Sequence, residues 1–212
     1  SRRGMLHGLL YPLAVGVPAY SIAFLMNVVA FAPPSSHPLG FVIPGESPAA
    51  RFLSGLLISL SVGILGMAPL AVGEEVGWRS YLLTRLIQAR VRYPVLVSGL
   101  VWALWHAPLV LSGQLNRSLY QKLSFCLFAV TMVSLGSLLA RLRLETDSIW
   151  PPVVLHAAWN SIIVGFLSEC TPDKPAAAIW VSEGGVFVSL WMLCVAIVVH
   201  WAWRHEHEEH DL

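Results

Sequence analysis

Six apolar runs, each close to twenty residues long, limit what this chain can become. They cover residues 8–31, 52–73, 94–111, 119–139, 149–167 and 184–203. About 20 predominantly apolar residues carry a helix across the hydrocarbon core of a bilayer. No water reaches that core to satisfy an open backbone group, so runs of this kind close their hydrogen bonds within themselves, as helices. The expected fold is all-α: a polytopic transmembrane helical bundle with about six spans. The composition agrees, with 56% hydrophobic and 12% charged residues in a chain of 212, about half the charged share of a water-soluble domain. Nine Trp suit a protein with two membrane–water interfaces, where Trp collects. Disorder, a coiled coil and a disulfide scaffold are excluded; Cys126, Cys170 and Cys194 are far apart and lie in or beside apolar runs. A net charge of +1 leaves no basic footprint for nucleic acid, so no nucleic-acid partner is expected.

Polar punctuation separates the runs. Pro33, Pro34, Ser35 and Ser36 through to Pro48 read as a loop, and Pro172 to Pro175 as another. Residues 74–88 place Leu82, Leu83, Leu86 and Ile87 on one side, and either continue the second helix or lie in the interface. There is no repeat and no soluble insert. Residues 1–212 form a single integral membrane domain, with a motif-bearing core at about 52–168. Sorted by the parity of the spans, Arg51, Arg117, Lys122 and Lys174 fall on one side. The larger set, Arg2, Arg3, Arg79, Arg85, Arg90, Arg92, Arg141, Arg143 and Arg204, falls on the side of the N-terminus. The positive-inside rule then places both termini in the cytoplasm, in a cell's inner or plasma membrane. Ser1, Arg2 and Arg3 before an apolar run resemble a signal peptide, and Ala30-Phe31-Ala32 a cleavage site. The run exceeds the ~7–15 residues of a signal core, so a span is expected instead. Without an initiator Met, further residues are expected upstream. His205, His207 and His210 in the tail read as a solvated segment rather than a metal site.

Ionisable groups inside a membrane are costly and mark function. Three clusters qualify. In Glu74-Glu75-Val76-Gly77-Trp78-Arg79, Glu75 and Arg79 are i, i+4 and share a helix face. Glu74 is rotated about 100° away and left to face a cavity, an arrangement fit for a general base. In Trp102-Ala103-Leu104-Trp105-His106-Ala107-Pro108, His106 lies deep in its span and Pro108 loosens the helix beside it. In His156-Ala157-Ala158-Trp159-Asn160, His156 and Asn160 are i, i+4 and project together. Such a pair can hold an oxyanion, a metal or a neighbouring helix. Glu74 and His106 come out level in depth if the second run is broken or bent at Gly66-Met67-Ala68-Pro69. His156, close to its own end of a span, matches that depth less well.

These residues resemble a known family. Glu-Glu-x-x-x-Arg (Glu74, Glu75, Arg79), aromatic-x-x-x-His (Trp102, His106) and His-x-x-x-Asn (His156, Asn160), in this order on successive segments, are similar to the motifs of the CPBP family. That is the CAAX protease and bacteriocin-processing (Abi) family of intramembrane endopeptidases, which includes the type II CAAX prenyl endopeptidases. The resemblance covers about residues 52–168. Ser80, where glycine often follows the arginine, and Trp102, where phenylalanine is common, depart from the pattern. Family members usually have about eight spans, so a chain with six implies truncation at the N-terminus.

The resemblance implies catalytic roles for four residues. Glu74 activates water, His106 works with it, and His156 and Asn160 hold the oxyanion, with Glu75 and Arg79 as the supporting pair. It implies a glutamic-type endopeptidase with a cavity open to the cytoplasmic side. The substrate is a membrane-associated protein or peptide, CAAX-type or bacteriocin-related. No cofactor is favoured. A metal-dependent variant would bind zinc through Glu74, His106 and His156, but no His-Glu-x-x-His pair places two histidines beside a base. Two other classes fit fewer observations. One is a secondary transporter or proton-coupled channel using the intramembrane Glu and His, which would show inverted repeats. The other is a non-catalytic immunity protein on the same fold, which would not need the full motif set.

Overall fold

The structure, a computed structural model, describes residues 2–208, with side chains through Trp203; the tail histidines lie outside the described side chains. Among the described residues there is no strand, only an isolated bridge between Ser36 and Val42. Six helical segments are long and apolar enough to cross a membrane. They are α1 (Arg2–Leu25), α2 (Pro48–Gln88), α3 (Pro94–Leu111), α4 (Gln121–Thr146), α5 (Trp150–Cys170) and a final span made of a short α6 (Lys174–Val181) and a long α7 (Val186–Glu208). The chain forms a multi-pass all-α bundle.

The ends are set by local chemistry. Ser47 caps α2 by accepting the Ala50 N–H, and Pro48 opens the helix. Prolines also occupy the first turns of α3 and α5, where a missing N–H costs nothing. α1 stops six residues short of the expected end. Asn27 takes a left-handed conformation (φ 55°), and the Val28 N–H closes back on the Ala23 carbonyl, a helix stop that asparagine tolerates. Beyond it Val29 enters the core, while Phe31, still exposed, stacks edge-on between Phe24 and Phe52. α4 runs past its expected end because Arg141 pairs with Glu145 and Arg143 with Asp147. The loop expected at Pro172–Pro175 is shorter: Asp173 caps the Ala176 N–H and Pro175 already lies in the first turn of α6.

α5 sits at the centre. Seventy-two per cent of its apolar window is buried, against 28% for α2 and for α3. α1, α2 and α4 pack around it, α3 lies against α4, and α7 closes the ring against α1 and α4. α3 and α4 approach closely at two glycines: a Cβ on Gly99 would stand 3.1 Å from the Val133 Cα, and one on Gly136 3.5 Å from the Gly99 Cα. That contact brings Trp102 of α3 beside Arg79 of α2.

α2 differs from its expected form. Its apolar run is not broken at Gly66–Pro69, since Ile64–Glu75 is continuous α-helix with Pro69 inside it. The irregularity lies on either side, in two wide π-helical stretches at Ser59–Gly63 and Val76–Leu82. Residues 74–88 continue the helix, giving a single element of 41 residues. The loop before it folds back along the bundle: Leu39 lies over Gly66, and His37, 2% exposed, tucks between Gly63 and Gly165.

Candidate active site

All three polar clusters meet at one cavity of about 380 Å³, lined by Glu74, Trp102, His106, His156 and Asn160 among others. His156 thus reaches the level of Glu74, against the expected mismatch in depth. Thirteen residues of α2 follow Glu75, whereas α5 begins only six residues before His156. α2 therefore overshoots the start of α5 by about 10 Å at 1.5 Å per residue.

The expected pair forms. Arg79 Nη1 donates to Glu75 Oε1 at 2.9 Å, and His156 Nδ1 meets the same oxygen at 2.8 Å. Glu75, Arg79 and His156 are 0%, 2% and 3% exposed. A carboxylate oxygen can only accept, so His156 Nδ1 carries a proton and its Nε2 is left for the cavity. Arg79 also lies 4.1 Å from the centroid of the Trp102 ring, a cation–π contact strengthened by the burial of both side chains. The triad joins α2 to α5, and Trp102 ties it to α3.

Glu74 has different company. Its Oε2 accepts the indole N–H of Trp102 at 2.9 Å and of Trp78 at 3.2 Å, while the carboxylate stays half-buried on the cavity wall. Glu74 lies in α-helix and Trp78 in the wide turn that follows. Trp102 thus serves both carboxylates, with its edge on Glu74 and its face on the partner of Glu75. The sequence signals only an aromatic at this position; an indole N–H, which phenylalanine lacks, is the part that holds the carboxylate.

His106 is fixed by its own helix. Its Nδ1 lies 2.9 Å from the Trp102 carbonyl. That oxygen is an acceptor, so Nδ1–H donates, and in the neutral ring Nε2 carries the lone pair. Phe128, Trp102 and Trp105 stack edge-on around the ring. Helix α3 continues through Pro108 to Leu111 rather than opening there. Asn160 sits where α5 widens into the π stretch Asn160–Leu167, a distortion common at functional sites. The arrangement places an acceptor carboxylate and an imidazole lone pair on one wall, and an imidazole and an amide on α5.

Among the described residues, no three His, Cys, Asp or Glu side chains gather closely enough to hold a metal ion. The zinc set considered from sequence, Glu74, His106 and His156, does not fit that requirement. Sequence reasoning missed Glu183, which also walls the cavity and accepts the Trp159 indole N–H at 2.6 Å. A lone acidic residue between the apolar stretches of α6 and α7 was the available signal. Pro38, Leu115 and Glu183, the parts of the wall outside the long helices, lie at the end of the bundle away from the N-terminus.

No curated protein and no solved structure gave a match to this chain. A family model described as type II CAAX prenyl endopeptidase Rce1-like matches residues 48–162, which contain all three motifs. With more than half of its length matched and its motif residues brought to one intramembrane cavity, the chain belongs to the type II CAAX prenyl endopeptidase Rce1-like family of CAAX-type intramembrane proteases.

Proposed function

We propose that the chain is a glutamic-type intramembrane endopeptidase that works without a metal. The observation that carries this reading is that Glu74 and His106, both tied to Trp102, line one cavity that also holds His156 and Asn160. Water held between Glu74 and His106 gives its proton to Glu74 as its oxygen attacks the scissile carbonyl. The C=O π bond opens to an oxyanion, stabilised by donors already in place. Asn160 supplies an amide N–H. His156 supplies Nε2–H as an imidazolium beside the Glu75 carboxylate. Collapse of the intermediate breaks the C–N bond, and the proton on Glu74 passes to the leaving amine. The substrate is the chain of a membrane-associated protein or peptide, a CAAX-type tail or a bacteriocin-related precursor.

In this reading both termini face the cytoplasm, in a cell's inner or plasma membrane. Substrate then enters from the cytoplasmic half of the bilayer. Cysteines placed at Pro34 and Pro172 then react with an impermeant thiol reagent added to intact cells, and one at Arg90 does not; labelling at Arg90 would reverse the orientation. The chemistry is tested by cleavage of quenched fluorescent peptides in detergent. Wild type should cut before and after exhaustive chelation. Asn160→Ala should lose about 10²–10³ in kcat with KM little changed, as for removal of one oxyanion donor. Activity abolished by a chelator and restored by zinc would sink the metal-free mechanism.

A further inference from the structure

Glu183 lies outside the stretch shared with the family model, yet it is built into the cavity. It sits in the turn between α6 and α7, which is fixed on every side. The Gly185 N–H bonds the Ser182 carbonyl at 2.8 Å, and the Ser124 hydroxyl of α4 donates to the Gly184 carbonyl at 3.0 Å. Gly184 packs so tightly on Asn116 and Ser124 that a Cβ there would collide with both. The turn holds the carboxylate at the shared wall of two cavities: the one lined by Glu74 and His106, and a second of about 330 Å³ lined by Asn116, Arg117 and Glu169.

The bonding of this carboxylate is incomplete. Oε1 takes the N–H of Trp159, itself buried in the core. Among the described residues no Lys, Arg or His forms an ion pair with Glu183. His156 already serves Glu75, and Lys174 serves Glu169. Beside the Glu183 carboxylate, Phe128, Met132, Leu115 and Val164 make the first cavity's wall locally apolar, while Asn116, Arg117, Glu169 and Lys174 line the second cavity without bonding to it. A carboxylate in such surroundings gains strongly from an incoming cation, because both Coulomb attraction and relief of desolvation favour it.

We propose that Glu183 is a specificity-determining residue that takes the basic side chain, Lys or Arg, of a peptide bound across Glu74 and His106. This rests on the endopeptidase reading above and narrows its substrates to peptides with a cation flanking the scissile bond. A free N-terminal amine has the same chemistry, and N-acetylated peptides separate the two sources.

The experiment measures binding apart from turnover. The full chain carrying Glu74→Gln, purified in detergent, is titrated by fluorescence anisotropy with N-acetylated apolar peptides that carry Lys, Gln or Glu at each position in turn. At one position or more, Lys should bind about tenfold tighter than Gln. Adding Glu183→Gln, which keeps an acceptor for Trp159, should bring the two within about twofold, and Glu183→Lys should favour Glu peptides instead. Equal binding of Lys and Gln peptides with Glu183 present overturns the proposal. So does a Lys preference that survives Glu183→Gln, and so does the absence of binding by any Lys peptide. Cleavage by the chain with Glu74 intact is scored separately, so loss of turnover alongside a Glu183-dependent Lys preference would count against the endopeptidase reading alone.

Discussion

Glu74 and Glu75 are neighbours in sequence and opposites in environment. Glu75 is sealed between three helices and shared by Arg79 and His156. Glu74, one residue earlier, faces a cavity and is held only by neutral indole N–H groups. The first carboxylate is locked into the packing by a fixed cation; the second is oriented by neutral donors at the cavity wall. The contrast shows how a single turn of helix serves two environments: a 100° rotation sends one side chain into the packing and the other into the cavity.

Substitutions at the two sites should therefore fail in different ways. Glu74→Gln keeps the shape and an acceptor for the indoles but removes the base of the proposed mechanism. Peptide turnover should fall by about 10²–10⁴-fold, the range for losing a general base, while the unfolding midpoint in detergent stays near wild type. A loss of stability with turnover retained would reverse the assignment. Arg79→Ala should do the opposite first, because buried Glu75 loses its fixed cation and keeps only His156; breaking a buried pair costs up to about 3–5 kcal/mol, read as a lower unfolding midpoint and lower folded yield. Trp102→Phe keeps a ring face for Arg79 and removes one donor from Glu74. A hydrogen bond to a charged group contributes about 1.5–3 kcal/mol, and the expected result is about tenfold lower kcat with modest destabilisation. The Trp78 contact is longer and its neighbour on α2 is wide-turned, so Trp78→Phe should change kcat by only about twofold to threefold. An effect of Trp78→Phe exceeding that of Trp102→Phe would show that the nearer indole is not the main support.

Much of this was legible because helical spacing is local. The Glu75–Arg79 pair, the shared face of His156 and Asn160 and all six spans follow from 3.6-residue periodicity and run length. What did not follow depends on three dimensions. The depth of His156 required knowing how far α2 overshoots α5. The stop at Asn27 competed with apolar residues that, read as a run, continue the span to Phe31. The wide turns on either side of Ile64–Glu75 leave no mark in composition, whereas Gly66–Pro69, which does, turned out to be regular helix. Glu183 stood out only as a lone acidic residue, because no spacing rule links it to motifs that end at Asn160; the packing of the α6–α7 turn on α4 brings it to the cavity.

The length of α2 carries one more consequence. At 1.5 Å per residue, 41 residues extend about 60 Å, roughly twice the hydrocarbon thickness of a bilayer. A helix so mismatched must tilt or protrude, and the surrounding lipid sets how much of each. Because Glu74 and Glu75 lie just ahead of the wide turn at Val76–Leu82, a change in tilt acts on the segment that aligns them with α3 and α5. Turnover in reconstituted vesicles should accordingly pass through a maximum as acyl chains are lengthened, making bilayer thickness a tuning variable for this protein, set by the host membrane rather than by any ligand.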